Sequence, residues 1–210
     1  MRRLSVVCLL LLAMLPGVAA AAAQPSVDTC FVASGKKYGI DPRLLWAISQ
    51  TESSGRADVR NLTHFSRTGT IDIGLMQINS SWLPTLARYG ITRDRLLDEP
   101  CLNIDVGAWI LARIIHQQGA HWDAVGAYNS ACTQLKGVAC TVSRETYVRK
   151  VWSWYSGDHA NRIRAVATTR VSRTTSTQLT TQGASRPAQS AAAPPPPPPR
   201  SGIEFIAESP

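Results

Sequence analysis

No segment of this 210-residue chain approaches the roughly 20 consecutive apolar residues that a membrane-spanning helix needs. No two cysteines have Cys-x-x-Cys spacing and none of the four histidines completes a ligand cluster, so no zinc site, other metal or cofactor is expected. No basic stripe is interleaved with aromatic residues, so nucleic acid is not an expected partner. The longest apolar run, Leu4 to Leu15, has the setting of a secretory signal: Met1-Arg2-Arg3 precedes it, and small residues ending in Ala21-Ala22-Ala23 follow it. Residues 1–23 read as a signal peptide, with cleavage after Ala23 and a soluble mature protein. Cys8 lies too early in that run, behind Ser5-Val6-Val7, to be a lipid-anchored cysteine.

Removal of the signal leaves Cys30, Cys101, Cys132 and Cys140, an even number in an exported chain, which points to two disulfides. Of the three possible pairings, the favoured one joins Cys30 to Cys101, tying the first helix to a later one, and Cys132 to Cys140, closing a short loop.

Composition divides the rest. Residues 24–155 hold every tryptophan and tyrosine and the apolar periodicity. Residues 156–210 are rich in Thr, Ser, Arg and Ala and then in proline, with a run from Pro194 to Pro199, and read as a disordered tail that cannot bury a core. The first part carries 14 Lys and Arg against 11 Asp and Glu, and the tail 6 Arg against 3 acids. That modest positive balance suits an acidic polymer or an anionic surface.

The class is mainly α. Asp41-Pro42 before an apolar run from Leu44 to Ile48 is an N-cap and first-turn proline, and Ser53-Ser54-Gly55 ends that helix, with Gly55 expected in the left-handed cap. A helix from about Asp28 to Tyr38 precedes it. Another is expected from Asn103 as cap to Gly119, and shorter ones over 82–88, 93–97, 122–128 and 144–155. The polar stretch between Gly55 and Gly74 has no helical period and allows at most a small β-hairpin.

Glu52 stands out because it falls in the last turn of the most apolar helix. The dipole there disfavours a negative charge and apolar neighbours do the same, so its carboxyl should stay protonated to unusually high pH. Twenty residues on comes Asp72-Ile73-Gly74-Leu75-Met76-Gln77-Ile78-Asn79-Ser80. Gly74 would allow close backbone approach to a ligand, and Gln77 is a neutral donor and acceptor suited to acetamido and hydroxyl groups. A protonated carboxyl beside such a wall is the equipment of glycosidic-bond cleavage.

Glu52-Ser53, then Gly74-Leu75-Met76-Gln77-Ile78-Asn79, then Ala127-Tyr128-Asn129 resemble, in that order, the three signature motifs of the soluble lytic transglycosylase (SLT) domain of the lysozyme-like superfamily. Cys30, the segment from Asp98 to Asn103 and Gly107-Ala108-Trp109-Ile110-Leu111 resemble the small members that accompany type III and type IV secretion and type IV pilus assembly. The resemblance implies a lysozyme-like α+β domain over 24–155 and cleavage of the β-1,4 bond between N-acetylmuramic acid and N-acetylglucosamine in peptidoglycan. It makes Glu52 the acid that protonates the glycosidic oxygen and then the base that takes the muramoyl 6-hydroxyl proton, leaving a 1,6-anhydro end. Ser53, Gly74, Met76, Gln77, Asn79, Tyr128 and Asn129 would serve substrate binding, with Ser53 supporting the local turn, Tyr128 hydrogen-bonding near Glu52 and Asn129 fixing backbone. It further implies a monomer in the periplasm and a secretion or pilus apparatus as partner.

Asp72 leaves a second outcome open. The segment from Asp72 to Ser80 also resembles animal-type lysozyme, where the aspartate is the second catalytic carboxylate, so a muramidase using Glu52 and Asp72 is an alternative. A wall-binding assembly factor without turnover is another, and the basic, proline-rich tail would serve it.

Overall fold

The computed structural model describes residues 26–157 together with Ile163. The expected signal peptide and nearly all of the expected tail lie outside the described residues.

Two helices open the fold. Helix α1 (Val27–Tyr38) starts at Ser26, whose hydroxyl accepts from the Thr29 amide, and stops at Gly39 in the left-handed conformation. Helix α2 (Pro42–Ser53) starts at Asp41, whose carboxylate accepts from the Arg43 amide. Its left-handed cap is Ser54 (φ 56°) rather than Gly55, which also has positive φ (73°). The chain therefore reverses sharply just after Glu52.

The region from Gly55 to Gly74 and beyond folds into a three-stranded antiparallel sheet in the order β1 (Arg60–Asn61), β2 (Asp72–Ile73), β3 (Ile78–Asn79), with a one-turn helix α3 (Phe65–Thr68) between β1 and β2. Asp72 pairs with Asn79 and Ile73 with Ile78. The β element is thus one strand larger than a hairpin. A 3-10 turn (Ser80–Trp82), α4 (Leu83–Leu86), a second 3-10 turn (Ala87–Tyr89) and α5 (Arg93–Asp98) lead to the long α6 (Pro100–Gln118). Next come α7 (Trp122–Asn129) and α8 (Gly137–Tyr155).

Helix α6 is the axis of the molecule. Its middle, Val106 to Ala112, is buried all round, as expected of a central helix. It packs against α1 and α7, while α8 closes over α2 and α7. Leu44, Leu45 and Ile48 of α2, Ile104 and Leu111 of α6, Val125 of α7 and Val151 of α8 are all fully buried in one core. The cystines join Cys30 of α1 to Cys101 of α6, and Cys132 to Cys140 of α8.

Three sequence expectations need correction. Asn103 does not cap α6 but lies one turn inside it, fully buried; the actual start uses Pro100 in the first turn. Helix α8 begins at Gly137, seven residues before Arg144, and takes in Cys140 of the short cystine loop. The packed domain does not end at residue 155: Ile163, 2% exposed, belongs to the same core. No helix among the described residues is long and apolar enough to cross a membrane.

Candidate active site

A cleft of about 1130 Å³ runs between the sheet and the helices, with Glu52, Asp72, Gln77, Asn79, Tyr128 and Asn129 among its lining residues. The three sequence motifs therefore meet in one place, although they do different work there.

Glu52 projects from the last turn of α2 into the cleft. Tyr147 of α8 donates from Oη to Glu52 Oε1 at 2.6 Å. Burial pushes the Glu52 carboxyl up from 4.5 to about 7, and the negative charge of Asp72 adds to the rise, while the Tyr147 hydrogen bond and the Lys150 charge oppose it. At neutral pH a large fraction of Glu52 is therefore protonated and able to donate. The Tyr147 phenol itself is held protonated, chiefly by burial.

Asp72, on β2, is pushed above its usual range by burial, against the Asn79 hydrogen bond and the His64 charge. Asn79 Nδ2 donates to Asp72 Oδ1 at 2.8 Å and to Thr70 Oγ1 at 3.1 Å, and its own carbonyl caps the following 3-10 turn at the Ser81 amide. His64 Nε2 lies 3.7 Å from the other Asp72 oxygen and has no hydrogen-bond partner among the described residues.

The turn between β2 and β3 is built by side chains reaching in from four directions. Asn103 Nδ2 donates to the Ile73 carbonyl (3.0 Å) and the Leu96 carbonyl (2.9 Å), and Asn103 Oδ1 accepts from the Met76 amide (2.7 Å). Gln77 Nε2 donates to the Gly74 carbonyl (2.7 Å), Ser53 Oγ to the Leu75 carbonyl (2.8 Å) and Tyr128 Oη to the Met76 carbonyl (2.9 Å). Each main-chain carbonyl from Ile73 to Met76 thus has a side-chain donor, which a buried turn requires because it cannot turn to water.

This network reassigns several expected contacts. Gly74 (φ 73°) serves Asn103 rather than a ligand: a Cβ there would overlap the Asn103 amide and lie 2.8 Å from the Leu96 carbonyl. Met76 is fully buried against Gly107 of α6, where a Cβ would fall 2.8 Å from Met76 Cβ. Ser53 is 3% exposed and does not line the cleft. Tyr128 lies near Glu52, whose charge helps raise its phenol, but hydrogen-bonds to Met76 instead. The bond to Glu52 comes from Tyr147, a residue that no sequence motif singles out. The available signal was that a buried phenol needs a partner, but nothing in a 95-residue separation names Glu52 as that partner. Asn103 was equally hidden as a supposed cap.

The far side of the cleft is one face of α6, with Ile110, Arg113, Ile114, Gln117 and Gln118 at helical spacing. Among the described residues no three His, Cys, Asp or Glu side chains gather as a metal site would require.

A mainly helical domain with a small sheet beside a long cleft, and one carboxyl in that cleft held partly protonated at neutral pH, defines a glycan-cleaving domain of the lysozyme-like class. Residues 29–141 match the family model of the transglycosylase SLT domain, and the chain belongs to that family; it is a peptidoglycan lytic transglycosylase. The chain is similar to the invasion protein IagB of Salmonella typhimurium (strain SL1344), 36% identical over 126 residues that make up 60% of this chain and 74% of that protein. It is also similar to the X polypeptide of Escherichia coli, 39% identical over 140 residues, 66% of this chain and 80% of that one. A peptidoglycan-binding-like protein of Escherichia coli O157:H7 is 38% identical over 107 residues, 49% and 64% of the two chains.

Proposed function

We propose that Glu52 is the single acid and base of the reaction and that the product carries a 1,6-anhydromuramoyl end. Glu52 gives its proton to the glycosidic oxygen as the bond to the muramoyl C1 breaks. The resulting carboxylate then takes the proton of the muramoyl 6-hydroxyl, whose oxygen closes on C1, so no water is consumed and Glu52 ends protonated. The observation that carries this reading is the Glu52 carboxyl itself, shielded in the cleft, bonded by Tyr147 and raised to about 7, a value at which one group can both donate and accept. Asp72, Gln77, Asn79 and Asn129 line the same cleft and would hold the sugars, with Tyr128 and Ser53 supporting the turn behind them.

A hydrolytic outcome rests on Asp72, the other carboxyl in the cleft. The likeness to the transglycosylase SLT domain over residues 29–141 favours the anhydro outcome, with Asp72, whose Oδ1 accepts from Asn79, as a group that holds the sugar. A wall-binding factor without turnover has no use for a shielded acid. The protein acts as a monomer in the periplasm after export and opens the wall locally for a secretion or pilus apparatus, a role supported by the signal-like residues 1–23 and by the invasion-protein name of the Salmonella relative.

Mass spectrometry of the muropeptides released by wild type and by Asp72→Asn tests the reaction. Products lighter by one water than reducing-end sugars, still formed by Asp72→Asn, are expected. Reducing-end products that vanish in that variant would establish the hydrolase instead.

A further inference from the structure

Arg113 is presented to the cleft by α6 and is held in place without any carboxylate. Its guanidinium carbon lies 5.1 Å from the ring centroid of Trp109 and 5.9 Å from that of Trp82, and those two rings meet edge to face at 5.4 Å. The two indoles offer its guanidinium cation–π contact, and the side chain is exposed and lines the cleft. No acidic side chain pairs with it among the described residues. Among the described residues the acids lining the cleft are Glu52 and Asp72, and Asp72 is already engaged by Asn79 and faces His64. One turn along α6 stands Gln117, with Gln118 next to it, side chains that match peptide amides.

The sugar rings of the substrate carry hydroxyl and acetamido groups and no charge. The anionic groups of a glycan strand are the carboxylates of the peptide stems that hang from the muramoyl lactyl groups. A guanidinium in the substrate cleft with no acidic partner among the described residues has those carboxylates to pair with. We infer that the α6 face centred on Arg113 is a stem-peptide site, with Arg113 binding a stem carboxylate and Gln117 and Gln118 adjoining peptide amides. The enzyme therefore selects strands that keep their charged stems. This rests on the transglycosylase reading of the cleft and adds a specificity-determining residue to it.

The test compares kcat/KM on two preparations of one glycan strand, the first with its stem carboxylates free and the second with them converted to amides, for wild type, Arg113→Gln and Arg113→Lys. Wild type should prefer the free-carboxylate strand by about tenfold, the worth of one charge-assisted bidentate contact. Arg113→Gln should bring the ratio close to one, and Arg113→Lys, which keeps the charge but not the fork, should fall between. Binding of both strands to Glu52→Gln, alone and combined with Arg113→Gln, should repeat the pattern without turnover. A wild-type ratio near one, or a high ratio that survives in Arg113→Gln, would overturn the inference while leaving the transglycosylase reading in place. Absence of anhydro products from either strand with the wild-type protein would remove that reading and the inference together.

Discussion

At the scale of single residues, the chemistry depends on the opposed influences on one carboxyl. Burial and Asp72 push Glu52 up, and Tyr147 and Lys150 pull it down. Two substitutions should therefore move the alkaline limb of kcat/KM in opposite directions. Tyr147→Phe removes a bond that favours the ionised form, so the limb should shift to higher pH, with kcat reduced about tenfold because the acid loses its fixed orientation. Asp72→Asn removes a like charge, so the limb should shift to lower pH. A pH–rate series on the two variants checks both. Shifts in the same direction, or none, would mean that these groups do not set the Glu52 proton affinity. Glu52 was legible in the sequence because helix position and neighbours are local properties. Tyr147 was not, since its role exists only where α8 crosses the end of α2.

At the scale of elements, the turn from Ile73 to Ile78 decides where Asp72 and Asn79 stand. Its glycine and glutamine were visible as a motif, but the part they play in building the turn was not: Gly74 makes room for the Asn103 amide and Gln77 donates to the Gly74 carbonyl. The turn is shaped by Asn103, 27 residues from the Met76 amide that it binds and set in a helix that starts four residues before the expected start. Asn103→Ala would remove the side-chain partner of the buried Met76 amide and of the Ile73 and Leu96 carbonyls. We expect a loss of about 3 kcal/mol or more, read from urea unfolding, and a fall in activity as the turn loosens. A loss below about 1 kcal/mol would show that water replaces the amide there. The ends of α1 and α2 were legible to within a residue because Gly39 and Asp41-Pro42 act on their own neighbours. The start of α8 was not, because its N-cap, Lys136, makes no side-chain capping bond and so leaves no local signal.

At the scale of the whole molecule, the two cystines differ in the chain they close. Cys30–Cys101 spans 71 residues and Cys132–Cys140 only 8. By chain entropy the paired substitution Cys30→Ala/Cys101→Ala should cost about 4 kcal/mol and Cys132→Ala/Cys140→Ala about 2.5 kcal/mol, as denaturant midpoints would report. Glu52 should carry a stability cost of its own. Its folded pKa of about 7 lies above the ordinary 4.5, so the folded state binds more protons between those values and loses stability as pH rises through them. Glu52→Gln should be inactive yet more stable than wild type, by up to about 3 kcal/mol above pH 7 and by little near pH 4.

The most direct test of the account is the release of anhydro-muropeptides from purified peptidoglycan, followed by mass spectrometry from about pH 5 to about pH 9, by wild type and by Glu52→Gln. The account predicts anhydro products from wild type that decline through an apparent pKa near 7, and none from the variant at any pH. Undiminished release by Glu52→Gln, or a wild-type decline centred near the ordinary glutamate value, would contradict it.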